Sequence, residues 1–362
     1  MSTTAVSVSA EGTALPGPAM NKRLGFVAMI LSATGMGFVG TFGRLATPVD
    51  PTTGTKYIIG DFLAFGRMTV GAVGMLLIIL AVHKLPKLRS TKLSFSVVAG
   101  GLAIGMSLAL YVSATLMTSI ANAVFLIYTG PLFSAILAWI FLKEKITLRD
   151  AGFLALVFVG MLMTIGLINW TTGEGLTFGI QLGASPEFPN KVMGDIFGLA
   201  SGFFYGLALF FYRYRGDMES EVRAFWNFVF GAVGAIIIMV FRMNTLDPTN
   251  PFDVMTKTNW LWAIGMFLFC GLFAIGFLVV AGKNLLAVEL STVSYWECVV
   301  ALILGAMVWH ESLTTVGAIG GLLIIIGGMG PAIAILSARP RRSQRDGPED
   351  EVAAVPDGGT AD

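Results

Sequence analysis

Long, continuous apolar runs dominate the chain, and each run is long enough to cross a membrane as a helix. A helix needs about 20 apolar residues to cross the hydrocarbon core of a bilayer, where every backbone amide must be bonded within the segment. Five such runs lie in each half of the chain. They cover residues 24–45, 61–83, 94–116, 119–142, 148–168, 194–213, 222–243, 259–281, 285–308 and 315–336.

Composition supports a membrane protein over a soluble one. Hydrophobic residues make up 55% of the chain and charged residues only 12%, whereas about a quarter of the residues in a soluble domain are charged. The runs also lack the alternation of apolar and polar residues that is typical of membrane barrel strands. We therefore expect an all-α polytopic membrane protein with ten transmembrane helices.

The two halves of the chain repeat one another. The stretch AFGRMTVGAVG at 64–74 recurs as AFWNFVFGAVG at 224–234. A second constant offset places Tyr128 on Tyr295 and Glu144 on Glu311. Because the repeated unit is far longer than the unit of a solenoid, it predicts a tandem duplication of a five-helix unit.

Domain boundaries follow from this duplication. We expect one five-helix repeat at 23–168, an outer linker loop at 169–193 and a second repeat at 194–337. The ends at 1–22 and 338–362 are rich in small, polar and charged residues without apolar periodicity, which predicts disordered tails.

Lysine and arginine predict the orientation in the membrane. Of the 23 such residues, the large majority lie near the two termini and in the loops after the second, fourth, sixth and eighth runs. Cytoplasmic loops carry an excess of these residues, so we expect a multi-pass protein of the plasma (inner) membrane with both termini in the cytoplasm. With five helices per repeat, the second repeat enters from the opposite side, and such inverted repeats recur in secondary transporters.

Several motifs are shared with a known family. The fourth run carries Pro131 and ends in KEKIT at 143–147, while the second half has Trp296-Glu297-Cys298 and HESLT at 310–314. On these motifs the chain resembles the EamA-type domain of the drug/metabolite transporter superfamily. The resemblance implies ten helices around a central cavity, small metabolites such as amino acids or drugs as cargo, and export as the direction.

This sequence departs from the family pattern in two places. The second half of the family commonly carries a Glu-Pro pair in mid-helix, but here Glu297 is followed by Cys298. The resemblance therefore does not carry a proline bend over to the ninth helix. The loops at 46–60 and 169–193 are also long for the family.

Glu297 is the strongest candidate for a functional residue. It lies near the middle of the ninth run, where an ionised carboxylate facing lipid costs several kcal/mol. It should therefore face the protein interior, bind a partner or be protonated. The functional interpretation is a proton-coupling site or a counter-charge for the substrate, and the alternative is a structural glutamate bonded to a neighbouring helix.

Arg67 is the second charge within a run, and its counterpart in the other repeat is the neutral Asn227. The interpretation that we favour from sequence is structural: a long arginine reaches the outer interface from this depth, or pairs with Asp61 at the rim. The alternatives are an anchor for a substrate carboxylate and a charge partner of Glu297.

Aromatic and polar residues of the helices are candidates for the cavity lining. Tyr128 and Tyr295 occupy matching places in the two repeats and offer both ring surface and hydroxyl groups. The other expected lining residues are Tyr111, Asn122, Thr129, Ser134, Ser294 and Trp296. Ordinary packing is the alternative for each of them, because Ser, Thr and Asn also bond across membrane helices.

Glu144 and Glu311 lie at helix ends rather than at depth. An acidic residue at a helix C-terminus opposes the helix dipole, so nearby cations or another helix N-terminus must offset it. A structural role is the favoured interpretation. The alternative is a gate in which each glutamate makes and breaks ion pairs as its face of the protein opens.

These observations favour a secondary active transporter that works by alternating access, with a small-molecule substrate and proton coupling. The chain has no Walker A sequence, and we expect no cofactor, no metal and no nucleic-acid partner. A passive facilitator remains the main alternative. An intramembrane enzyme is disfavoured, since His83 and His310 lie near helix ends and no HExxH motif occurs.

Overall fold

The structure is a computed structural model that describes most of the two repeats. The described residues are 21–143, 147–165, 167–171, 175–178, 188–212, 218–285, 290, 293–311 and 314–337. Glu144, both predicted disordered tails apart from residues 21 and 22, and about half of the predicted linker lie outside these residues.

Helices follow the predicted apolar runs of the first half closely. They are α1 (Lys22–Gly37), α2 (Val39–Ala46), α3 (Gly60–Ala81), the short α4 (Leu85–Ser90), α5 (Phe95–Met117), α6 (Ile120–Ile127), α7 (Gly130–Leu142) and α8 (Leu148–Thr164). The first predicted run is divided into α1 and α2, and the fourth into α6 and α7.

The second half repeats this order. Its helices are α9 (Lys191–Tyr212), α10 (Ser220–Thr245), the short α11 (Pro251–Val254), α12 (Lys257–Met266), α13 (Ala274–Asn284), α14 (Trp296–Val308) and α15 (Thr315–Ser337). A π-helical segment, Phe267–Phe273, joins α12 to α13.

Within the described residues, seven helical segments are long and apolar enough to cross a membrane. Three further apolar helices are shorter, at Ala151–Thr164, Trp296–Val308 and Thr315–Gly330. The chain is therefore a multi-pass membrane protein built almost wholly from helices, with seven clear spans.

A short β-hairpin begins the region that was predicted to be a linker loop. Strand β1 (Ile168–Thr171) pairs antiparallel with β2 (Gly175–Phe178), and Ile168 lies opposite Phe178. The fifth predicted run was also too long, because α8 ends at Thr164. Hydropathy did not separate the apolar start of β1 from the helix before it.

Helices from the two repeats pack against each other throughout the bundle. Helix α5 packs on α9, α3 and α5 on α10, α1 on α13, α7 on α9, and α8 on α15. Glycines permit the closest crossings, as expected for membrane helices. A Cβ atom on Gly320 would lie only 2.7 Å from the carbonyl oxygen of Gly160 in α8.

A buried ion pair joins α3 to α10. Arg242 Nε lies 2.8 Å from Asp61 Oδ2, and the two side chains are 2% and 0% exposed. Arg242 Nη1 also donates to the carbonyl oxygens of Asp247 and Thr249, at 2.7 and 3.1 Å. Asp61 thus pairs with Arg242 of the other repeat, and the expectation that it pairs with Arg67 was wrong.

Removing one member of this pair should destabilise the protein strongly, because it leaves the other charge buried without its partner. We expect Asp61→Asn to cost about 3–5 kcal/mol of folding free energy, measured as a fall in the thermal unfolding midpoint of the purified protein. The double variant Asp61→Leu with Arg242→Met should recover much of the loss, since both charges are gone.

Glu219→Gln is the matched control. Glu219 pairs with Lys84 at 2.7 Å, and both side chains are about one-third exposed, so this variant should cost less than about 1 kcal/mol. Equal shifts for Asp61→Asn and Glu219→Gln would contradict the importance of the buried pair.

Candidate functional site

A cavity of about 520 Å³ lies within the bundle. We call the side on which α1, α5 and α10 begin the N-terminal face, and the other side the opposite face. The first turns of α10 line the cavity through Arg223 and Ala224, and the last turns of α9 line it through Leu209 and Tyr212. The cavity therefore extends from mid-bundle toward the N-terminal face.

Irregular backbone occurs in several helices around the middle of the bundle. Helix α1 gives way to α2 at Phe38, and α6 gives way to α7 at Tyr128 and Thr129. The second break has a clear cause, because Pro131 lacks an N–H group and its ring clashes with the carbonyl four residues earlier, at Ile127. Broken helices and π-helical turns are typical of binding sites in membrane proteins.

The π-helical segment holds Arg67 inside the protein. Arg67 is 2% exposed, and its Nε donates to the carbonyl oxygen of Cys270 at 3.1 Å. Its Nη2 lies 2.6 Å from the sulfur of Met36. Gly271 leaves room for this arrangement, since a Cβ there would lie 3.3 Å from Arg67 Cγ. The expectation that Arg67 reaches the outer interface was therefore wrong.

Glu297 lines the same cavity from the first turn of α14. The hydroxyl of Tyr128 donates to Glu297 Oε2 at 2.8 Å and lies 3.1 Å from the carbonyl oxygen of Ser294. Ring centroids of Tyr128 and Tyr295 are 4.9 Å apart. A carboxylate in the first turn of a helix also interacts favourably with the helix dipole.

The structure brings some of the candidate residues together and leaves others outside the cavity. Five candidates line it: Arg67, Tyr111, Tyr128, Ser294 and Glu297. Five do not: Asn122, Thr129, Ser134, Tyr295 and Trp296.

The second group makes packing contacts between or within helices. Asn122 donates to the carbonyl oxygen of Thr164 at 3.3 Å, and Thr129 donates to that of Leu126 at 2.6 Å. Trp296 is 41% exposed and donates to Thr34. Tyr295 and Ser134 are buried, outside the cavity lining.

Several lining residues were not predicted from the sequence. Tyr205 and Tyr212 of α9 line the cavity, as do Arg223 and Asn227 of α10. Arg223 Nη2 donates to the Tyr212 carbonyl oxygen at 2.7 Å, and its guanidinium lies 5.1 Å from the centre of the Tyr212 ring. From the sequence, Arg223 was assigned to the loop before the seventh run. Asn227 had already been noted because it aligns with Arg67 in the other repeat.

A buried ion pair closes the opposite face. Arg44 Nη1 lies 2.5 Å from Glu311 Oε1, and both side chains are about 5% exposed. Arg44 also donates to the carbonyl oxygens of Thr115 and Thr118, at 2.7 and 2.8 Å. The backbone N–H of Ile120, at the start of α6, donates to Glu311 at 3.0 Å. Arg44 and the start of α6 together offset the charge of Glu311.

More polar contacts surround this pair. Lys56 Nζ donates to the carbonyl oxygens of Arg44 and Thr47, at 2.7 and 2.9 Å. Burial, and then the nearby charge of Arg44, lower the pKa of Lys56 to about 8. Thr118 donates to Asp195 at 2.7 Å, which ties the end of α5 to the start of α9. Polar contacts therefore join the helix ends at the opposite face, whereas the N-terminal face is the side toward which the cavity extends.

Two repeated helical units surround a mostly apolar cavity that carries a few charged and hydroxyl groups. This arrangement is typical of multi-pass membrane transporters. The model of the EamA-like transporter family matches residues 23–166 and 192–330. The chain belongs to this family.

The similarity of this chain to individual proteins is weaker than its match to the family model. Mouse solute carrier family 35 member G1 is 26% identical over 125 residues, which cover 34% of this chain and 32% of that protein. The chain thus aligns with about a third of this relative. A solved structure titled "Crystal structure of protein" matches with a TM-score of 0.53 and 18% identity, over 88% of this chain and 98% of the other. This last likeness concerns the fold alone.

Cysteine labelling tests where the cavity opens. Ala224 lines the cavity and Ala235, on the same helix, is fully buried. We expect a water-soluble maleimide to label Ala224→Cys rapidly from the N-terminal face and Ala235→Cys slowly. The native Cys270 and Cys298 are buried and give the background rate. Equal labelling of the two variants would contradict an open path to the cavity.

Proposed function

We propose that the protein is a secondary active transporter of small organic molecules that works by alternating access. The observation that carries this proposal is the placement of the cavity. Glu297 and Arg67 lie in a cavity that extends toward the N-terminal face, while the opposite face is closed by buried ion pairs. A site sealed from one side and approached from the other is what alternating access requires.

The architecture that we propose is ten transmembrane helices in two inverted five-helix repeats. The three shorter apolar helices supply the remaining spans. Contacts that recur when the repeats are exchanged support a pseudo-two-fold relation, and the inversion is supported because α1 begins at the N-terminal face whereas its counterpart α9 ends there. The pair α1 and α13 corresponds to α9 and α5, and the pair α1 and α14 corresponds to α9 and α7.

The positive charges of its loops favour placing the N-terminal face in the cytoplasm of a plasma (inner) membrane. The conformation described here is then open inward. A cavity that fills from the cytoplasm suits export, with amino acids or drugs as the cargo suggested by the family.

The ion pair between Arg44 and Glu311 is the proposed outer gate. It joins α2 of the first repeat to the residues after α14 of the second. Opening the opposite face requires these elements to separate, and the separated charges would then be hydrated. Water replaces the contacts that a buried pair loses on opening, so a gate of this kind can be reversible.

Proton coupling is proposed for Glu297. It is the acidic residue among the described lining residues of the cavity. The bond from Tyr128 fixes one of its oxygens, so the position of the carboxyl group is defined when a proton is gained or lost. Arg67 lines the same cavity and offers a charge whose interactions depend on the protonation of Glu297.

Transport in proteoliposomes tests this proposal. A panel of amino acids and drugs is offered under an imposed pH gradient to wild type, Glu297→Gln and the surface control Glu219→Gln. We expect gradient-driven accumulation in wild type and the control, and none in Glu297→Gln, because the variant cannot exchange a proton at this site. Counterflow of substrate without a gradient should persist in the variant.

The possible outcomes separate the alternatives. Accumulation that is unchanged in Glu297→Gln would remove this residue from the coupling role. Wild-type transport that is indifferent to the gradient would instead indicate a passive facilitator.

A further inference from the structure

Three polar atoms of the cavity residues have no hydrogen-bond partner among the residues that the structure describes. They are Arg67 Nη1, the hydroxyl oxygen of Tyr111 and Asn227 Oδ1. Leaving a buried polar group without a partner costs about 1–3 kcal/mol. Such groups are rare in folded proteins and call for an explanation. The position of Arg67 Nη1 and the Tyr111 hydroxyl in one cavity points to a ligand that supplies acceptors for these two donors.

Two of these atoms are donors on neighbouring helices. Arg67 is on α3 and Tyr111 is on α5, and these helices pack together. The side chains are 2% and 1% exposed, and both line the same cavity. The remaining donors of Arg67 are engaged, Nε by Cys270 and Nη2 by Met36. One guanidinium nitrogen and one hydroxyl are therefore left to bind a ligand.

Charge in the cavity favours an anion. The charged side chains among the described lining residues are Arg67, Arg223 and Glu297. Arg223 already has bonding partners, so the charge that a ligand meets is that of Arg67, whose Nη1 has no acceptor among the described residues. This guanidinium would repel a cationic group brought against Nη1, and it bonds more strongly to an anionic acceptor than to a neutral one.

We propose that the cavity binds small organic carboxylates, with the two carboxylate oxygens accepting from Arg67 Nη1 and the Tyr111 hydroxyl. Two donors match the two oxygens of a carboxylate, and a charged acceptor gives the stronger kind of hydrogen bond. The apolar body of the ligand lies against side chains such as Met36, Met68 and Leu108. This inference rests on the proposed transport function and narrows its substrate class.

Binding of matched probes to the purified full-length protein tests this specificity. The probe is radiolabelled 4-methylpentanoate, and the competitors are 4-methylpentanamide and 4-methylpentylamine, which share its shape and differ in charge. We expect unlabelled 4-methylpentanoate to compete at concentrations at least about tenfold lower than the other two, as for a hydrogen bond to a charged group.

Variants assign the preference to the two donors. Tyr111→Phe keeps the ring volume, and we expect it to weaken carboxylate binding about tenfold by removing one hydrogen bond. Arg67→Gln should abolish the discrimination between carboxylate and amide. Arg149→Gln, an exposed arginine on the N-terminal face, is the control. Size-exclusion profiles show whether each variant is folded. If Arg67→Gln does not fold, the result for Tyr111→Phe tests the proposed carboxylate site.

The outcomes distinguish this inference from the proposed function. Carboxylate binding that depends on Tyr111, found without any transport in proteoliposomes, would support the binding site and reject the transporter. The inference is overturned if no 4-methylpentanoate binds, if the amide or the amine competes equally well, or if Tyr111→Phe binds like wild type. Glu297-dependent transport of other cargo would leave the proposed function standing in those cases.

Discussion

A guanidinium group buried inside a helical bundle is costly, and the structure of this protein depends on how Arg67 is accommodated. Its Nε bonds to the carbonyl oxygen of Cys270 across the two repeats. That carbonyl lies within the π-helical segment, where backbone bonding departs from the α-helical pattern. One interaction therefore joins α3 to the irregular segment of the second repeat and holds a positive charge at the cavity.

The two faces of the bundle differ in how they are held together. On the opposite face, Arg44 links Glu311 with the carbonyl groups at the end of α5, so several helix ends meet at one side chain. Toward the N-terminal face, the corresponding helices diverge around the cavity. Helices α3 and α10 are joined near both ends, by Asp61 with Arg242 and by Lys84 with Glu221. This pair is suited to act as a fixed support while other helices move.

Hydropathy predicted the main helices within a few residues, because the bilayer sets both the length and the composition of a spanning segment. It also placed Glu297 at depth. It did not predict the partner of Arg67, since the choice between Asp61 and the Cys270 carbonyl depends on how α3 is rotated against the second repeat. Asn122 and Thr129 were misplaced for a similar reason: small polar side chains bond equally well to a neighbouring backbone and to a ligand. Arg223 was not predicted to line the cavity, because a charged residue at the end of an apolar run is hard to distinguish from a residue of the adjoining loop.

The central claim is that the ion pair of Arg44 and Glu311 must separate for transport. The direct measurement replaces both residues by cysteine, in a chain whose Cys270 and Cys298 are changed to alanine, and joins them with a short, cleavable thiol cross-linker. The uncross-linked variant must first be shown to transport. The account predicts that cross-linking stops transport, leaves ligand binding from the N-terminal face intact, and is reversed by cleavage. Undiminished transport by the cross-linked protein would contradict it.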